Sequence, residues 1–321
     1  MKIKNISKIF LAILAISMLF SCKKEADSIF TMFEGVTVTF KNSDPRTVVD
    51  YKEVNDNSEV WVDFTINSAN EDMYTVTVER TTATGFDRST VFTLTDGQRR
   101  SFSNVYKYLL QRDGKTSFRV YARNQKGVYI GDGYTKVTVE GKASHTLYAN
   151  RVIYLPDTTA KVLPSFISLA KGQTFSYSNG KANSADIDFG VWRRYEPSTS
   201  NPTLAGWVYN MYAIGSQPAA FNIYDVTTWD KRTTKFSAQV TGGSAIFLNT
   251  LVSGSTIETA AKARTINLTA ITGTTVANGL TAGNIIYFQT PDLKYGAMLI
   301  NSITTDLERK PLINVSIKLQ N

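Results

Sequence analysis

The run Asp186-Ile187-Asp188-Phe189 places two carboxylates two residues apart. On an extended strand such a pair shares one face, because strand side chains alternate with period two. Trp192 follows on the same face. Paired carboxylate oxygens suit Ca²⁺, a hard cation, and two carboxyl groups are also the machinery of glycoside hydrolysis. Hydrolysis needs a deep cleft, which small β units supply with difficulty. The polar face of a half-buried strand gives the same alternation with no site at all. Asp186 and Asp188 are therefore carried forward as calcium candidates only. The chain has one histidine, His145. Any Ser-His-Asp arrangement would have to use it, and no cysteine or carboxylate lies close to it in sequence. Zinc and iron sites need several His or Cys ligands. Gly114-Lys115-Thr116 lacks the earlier glycine of a phosphate-binding loop. The expectation is a protein that is not an enzyme and uses no cofactor.

Aromatic residues are dense from 192 to 229. Trp192, Tyr195, Trp207, Tyr209, Tyr212, Tyr224 and Trp229 fall there, including three of the four tryptophans. Flat rings stack on the apolar C–H surface of sugars while their polar edges stay wet, and neighbouring charged groups bond the hydroxyls. By alternation Trp192 lies on the polar face of its strand. The expected glycan-binding residues are Trp192, Arg194, Tyr195 and Trp229. Trp207, Tyr209 and Met211 share one face of another strand, and that face serves equally well as core. Large aromatics dominate β cores, so the competing expectation is that these rings fill a sandwich.

The only cysteine, Cys22, closes a distinctive start. Lys2, Lys4 and Lys8 precede an apolar run over residues 9–20 that is broken only by Ser17. A basic start, an apolar core of this length and a small residue at the exit mark a secretory leader. The run is too short to span a bilayer as a permanent helix. With Leu19-Phe20-Ser21-Cys22 it resembles a bacterial lipoprotein leader. That resemblance implies removal of residues 1–21 and acylation of Cys22, which becomes the first residue. Several acyl chains are needed for stable anchoring, at about 0.8 kcal/mol per buried methylene. Lys23-Lys24-Glu25-Ala26-Asp27 looks like the tether of Bacteroidota-type lipoproteins, which implies an outer-membrane location facing the cell exterior. Residues 22–30 form this lipidated tether.

Losing Lys2, Lys4 and Lys8 lowers the formal charge from +8 to +5. The remaining excess is spread along the chain, so no nucleic-acid partner is expected. Without a second thiol there is no disulfide, and stability rests on packed cores.

Thr, Ser, Val, Ile, Tyr and Phe are plentiful after the leader, and such residues favour pleated strands. Helical periodicity is confined to residues 105–111 and 257–263. Residues 31–141 carry short alternating runs separated by turn residues, the pattern of a β-sandwich. In Glu59-Val60-Trp61-Val62-Asp63-Phe64-Thr65-Ile66 the apolar residues share one face and Trp61 takes the other. The stretch from Gly114 to Gly127, with the strand at 134–139, resembles the late strands of immunoglobulin-like domains of the polycystic-kidney-disease and fibronectin types. Gly141, Pro156 and Pro164 punctuate a junction, and a strand over 145–155 opens a second β unit, 142–321. There Ile187, Phe189 and Val191 are expected inward, and 221–226 is expected as a short strand. Residues 284–300 read as a hairpin and 312–319 as a closing strand. That terminal hairpin resembles uncharacterised Bacteroidota lipoproteins pairing an immunoglobulin-like module with a second β domain.

The sequence thus predicts an all-β protein, with two β-sandwich-like domains in tandem after a lipoprotein signal peptide. Its expected role is non-enzymatic glycan binding at the cell envelope, anchored to the membrane through N-terminal lipid. The alternative is a structural or adhesion subunit contacting an envelope protein partner, with no small ligand.

Overall fold

The computed structural model describes residues 35–131, 135–197, 206–221 and 223–321. The leader, Cys22 and its tether lie outside the described residues. No helix among the described residues is long and apolar enough to cross a membrane.

The first unit contains β1 (Val36–Phe40), β2 (Tyr51–Val54), β3 (Ser58–Ser68), β4 (Thr75–Thr82), β5 (Gly85–Thr93), β6 (Ser101–Leu110), β7 (Gly114–Arg123), β8 (Tyr129–Ile130) and β9 (Lys136–Gly141). One sheet has the order β1-β3-β6, and the facing sheet β2-β9-β7-β4-β5, with β8 paired to β7. All pairings are antiparallel except β2 with β9. Two such facing sheets are the architecture of immunoglobulin-like sandwiches. The alternation in β3 sends Val60, Val62, Phe64 and Ile66 into a core shared with Val76 and Val78 of β4, Phe118 and Val120 of β7, and Val137 and Val139 of β9. Trp61 takes the other face, where the Arg46 guanidinium lies 3.6 Å from its ring centre.

The helical pattern at 105–111 is a strand instead. It lies in β6, paired with β3 over its whole length. Val105 and Leu109, four apart, are exposed. A spacing of four fits one helix face and also one strand face, so it does not discriminate between the two.

The second unit contains β10 (His145–Tyr154), β11 (Pro164–Ser168), β12 (Gln173–Ser176), the one-turn helix α1 (Tyr177–Gly180), β13 (Phe189–Glu196), β14 (Gly206–Ala213), β15 (Lys235–Ser237), α2 (Gly243–Asn249), α3 (Gly254–Lys262), β16 (Ile266–Leu268), β17 (Ala270–Ile271), β18 (Ile285–Gln289), β19 (Tyr295–Thr305) and β20 (Pro311–Gln320). A six-stranded sheet, β10-β20-β19-β18-β15-β16, faces a five-stranded sheet, β12-β11-β13-β14-β17. Phe189, Val191, Met211, Phe288, Ile300 and Val315 are among the residues packed between them. Residues 284–300 form the β18–β19 hairpin and 312–319 lie in β20. Where a short strand is expected at 221–226, none of the described residues lies in one.

Both outer faces of this sandwich are also covered. Helices α2 and α3 and the link between them lay Phe247, Leu251, Ile257 and Ala261 on Ile285, Tyr287 and Leu299 of the six-stranded sheet. The described residues of 214–229 fold over the five-stranded sheet, bringing Phe221, Tyr224, Val226 and Trp229 onto Phe166, Trp192 and Tyr212. Ile187 belongs to this outer cluster, whereas Phe189 and Val191 face the inner one.

The units meet at the start of α3. The Asp56 carboxylate accepts from the Ser255 backbone N–H at 2.6 Å and from its hydroxyl at 2.9 Å. Asp113 Oδ1 accepts from the Ser144 hydroxyl at 2.5 Å, and the Gly254 N–H donates to Ser144 Oγ at 2.7 Å.

Candidate functional site

Strands β13 and β14 pair in continuous register from Phe189↔Ala213 to Glu196↔Gly206. Alternation then assigns the faces. Trp192, Arg194, Val208, Asn210 and Tyr212 lie on the outer face of the sheet. Phe189, Val191, Arg193, Tyr195, Trp207, Tyr209 and Met211 lie on the face that forms the inner core.

Two of the four expected glycan-binding residues are buried. Trp192 is 3% exposed and Trp229 6% exposed. Trp192 is on the expected face, but Phe221, Tyr224, Val226 and Trp229 cover that face and convert it into core. Trp229 packs on Phe166 at 4.9 Å between ring centroids, and so closely on Gly180 that a β-carbon there would lie 2.2 Å from the indole. Arg194 also points to the outer face, where it donates to the Thr274 carbonyl at 2.5 Å. These three residues do not converge with Tyr195.

Tyr195 is 55% exposed, and its direct cross-strand partner Trp207 is 45% exposed. Their ring centroids are 5.4 Å apart and the planes are inclined by 72°. The Arg193 guanidinium carbon lies 3.8 Å from the Trp207 ring centre. The strand face that is core at Phe189 and Val191 is therefore open at Tyr195. Aromatic pairs prefer this edge-to-face arrangement, and a guanidinium over an indole adds a cation–π contact. The result is a fixed, half-exposed group of two rings and one cation. The sequence left Trp207 open between core and surface and did not put Trp207 or Arg193 among the binding residues. The available signal was the charge of Arg193 on a face otherwise apolar at 189 and 191, which marks where that face leaves the core.

Asp186 and Asp188 do not form a pair on a strand. Asp186 ends a 3₁₀ turn, Lys181–Asp186, and its carboxylate meets Lys171 Nζ at 2.5 Å. Asp188 precedes β13 and is fully buried. It accepts from the Leu169 N–H at 2.7 Å, the Thr234 hydroxyl at 2.6 Å and Arg232 Nε at 3.1 Å. Burial pushes its carboxyl above the usual range against these three partners. Arg232 continues to Asp292 at 2.8 Å, so Asp188 ties β11, β13 and the β18–β19 hairpin together. Its oxygens are committed to these protein donors, the Arg232 guanidinium among them, and are not free to ligate a metal ion. Among the described residues no cluster of three or more His, Cys, Asp or Glu could hold a metal ion.

His145 gains a carboxylate neighbour that its sequence surroundings lack. Its Nδ1 lies 2.8 Å from Asp113 Oδ2 at the junction of the two units. Burial acts to raise the Asp113 carboxyl, but His145 and the Ser144 hydroxyl and N–H outweigh it and hold the group below the ordinary value. The Ser144 hydroxyl bonds Asp113 and not the imidazole, so the serine and histidine both serve the carboxylate.

No family model matches the chain, and no curated protein matches it. Among solved structures, the CARDB domain of a Pyrococcus furiosus protein, determined in complex with di-metal ions, aligns with it. The alignment covers 35% of this chain and 96% of that domain, at 9% identity and a TM-score of 0.24.

Proposed function

We propose that this protein is a non-enzymatic lipoprotein of the outer membrane, anchored through lipid on Cys22, whose second sandwich binds extracellular glycan. The observation that supports the binding role most directly is the exposed Tyr195–Trp207 pair with Arg193 against the indole. Rings fixed by cross-strand register lose little freedom on binding, which is how rigid aromatic contacts gain affinity. In this reading Arg193 supplies donors for sugar hydroxyls at the ring edge. Residues 31–141 hold the sugar-binding unit, 142–321, away from the membrane surface. The leader, residues 1–21, supports the envelope address.

A second reading, a structural subunit contacting a protein partner, is favoured by β5. It is an edge strand of its sheet, with Phe86 66% and Val91 57% exposed. Exposed apolar edges mark pairing or contact surfaces.

The test is a glycan array probed with the full-length protein in detergent, beside its Trp207→Ala variant. Glycan spots that vanish with the variant support the first reading. A blank array with the native protein removes it in favour of the second. Incorporation of labelled palmitate, abolished by Cys22→Ser, tests the anchor separately.

A further inference from the structure

The second sandwich has an open flank where the edge strands of its two sheets face each other. Between β10 on one side and the β11–β12 hairpin with α1 on the other lies a cleft of about 560 Å³, within the range of small-molecule sites, about 300–1,000 Å³. Its walls carry four primary amides, Asn150, Gln173, Asn179 and Asn183, and one charged side chain, Arg151. Val152 and Phe175 contribute apolar surface. Among the described residues no carboxylate lines it.

The amides are held by the fold. Asn150 sits at a bulge in β10, with φ of 54°. Its N–H donates to Ser316 Oγ at 3.2 Å, and its Oδ1 accepts from Asn301 Nδ2 at 3.2 Å. Asn179 accepts from the Ser176 N–H through Oδ1 at 2.9 Å, which orients its Nδ2 as a donor with no partner among the described residues. Asn183 donates through Nδ2 to the Asn179 carbonyl at 2.9 Å, which leaves its Oδ1 as an acceptor. A sugar hydroxyl both donates and accepts, and this pair offers one group of each kind. Arg151 forms no ion pair among the described residues. Its guanidinium carbon lies 5.7 Å from the Tyr148 ring centre. The Tyr148 ring is itself fixed by packing on Gly172, where a β-carbon would lie 2.3 Å from the ring, and by donating to the Ala170 carbonyl at 2.5 Å.

We infer that this cleft is a second binding site, for an anionic saccharide, in which Arg151 bonds a carboxylate or sulfate group and the amides bond the hydroxyls. An arginine fork matches planar oxyanions, and such charge-assisted bonds are stronger than neutral ones. The apolar floor suits the C–H face of a sugar ring. The site shares no residue with Tyr195 and Trp207, which lie on β13 and β14 of the same five-stranded sheet, beyond the stretch of β13 that pairs with β11.

The experiment is affinity electrophoresis of the full-length protein in detergent, with polygalacturonate, dextran sulfate, unsubstituted dextran or polyglutamate in the gel. Retardation by polygalacturonate or dextran sulfate is expected, and which of the two is stronger distinguishes a uronic acid from a sulfated sugar. Arg151→Gln weakens that retardation about tenfold or more, as loss of a charge-assisted bond implies, while Lys126→Gln, which removes an exposed charge from the first unit, leaves it intact. Asn183→Ala, which keeps the charge, weakens it several-fold without changing any response to polyglutamate. Absence of retardation by both acidic polysaccharides overturns the site. So does a response that survives both cleft substitutions, or one that polyglutamate reproduces with the same dependence on Arg151 and Asn183.

Discussion

Tyr195 and Trp207 face each other across the β13–β14 ladder, with ring centroids 5.4 Å apart and both rings about half exposed. Neither ring is needed to close the inner core, which extends on this face to Val191 and Tyr209. Replacing Trp207 by Ala should therefore remove about 0.5–1.5 kcal/mol of pair energy from folding and leave the protein folded. Glycan binding through this face should fall about tenfold, since each 1.4 kcal/mol is a factor of ten. Thermal melting and a binding isotherm on a glycan retained by the array separate the two effects.

The junction offers a second test. Asp56 of the first unit caps the start of α3 in the second by accepting two bonds from Ser255. A carboxylate at a helix N-terminus is favoured by the exposed N–H groups and the helix dipole. Asp56→Ala should cost about 1 kcal/mol and loosen the contact between the units. Limited proteolysis around residues 142–144 should become faster. Unchanged cleavage would show that Asp113 and Ser144 hold the junction without it.

Acid stability should depend on Asp157. Burial acts to raise its carboxyl, but the Val162 and Leu163 N–H groups and the Tyr224 hydroxyl outweigh this and lower it. A carboxylate whose folded value is lowered contributes stability that is fully present above the unfolded value of about 3.9. That contribution drains away as pH falls through the folded value. Melting temperature should thus decline on acidification from pH 5 to pH 3, and Asp157→Asn should melt lower at pH 7 while declining less steeply. A parallel decline in both proteins would show that other carboxylates carry the acid response.

Lys318 makes a fourth case. It lies in β20 beneath α2 and is only 7% exposed. Its ammonium donates to the Phe247 and Leu251 carbonyls at 2.6 Å each, satisfying groups that a helix end leaves without partners. Burial pushes its pKa down. Lys318→Met keeps the apolar stem and strands both carbonyls, which should cost about 1–3 kcal/mol. Denaturant unfolding with an unchanged slope measures this as a shift in midpoint.

The inward face of β3 was legible because Val60, Val62, Phe64 and Ile66 alternate with polar residues on a half-buried strand. The terminal hairpin was legible because two apolar runs flank Pro291-Asp292-Leu293-Lys294. β6 was not, since Val105 and Leu109 satisfy both helical and strand spacing, and only pairing with β3 decides between them. The second strand face in β13 was read correctly as a face and wrongly as a surface. Alternation reports that Trp192 and Val191 point in opposite directions, and it carries no information about a third layer. That layer comes from the described residues of 214–229, none of which lies in a strand, although the alternation at 221–226 reads as one. Asp188 failed for the same reason, because its partners Leu169, Thr234 and Arg232 arrive from other elements.

The order of residues by itself determined the strand-rich character of the chain and the faces of its most regular strands, and it carries the basic-then-apolar pattern of residues 2–20. Each of these is written in local chemistry, as period-two alternation or as an apolar run with a basic flank. Which faces are covered was decided only by tertiary packing, since burial depends on what lies against a strand and not on the strand itself. That is why Trp192 and Trp229 became core while Tyr195 and Trp207, of the same chemical type, stayed half in water.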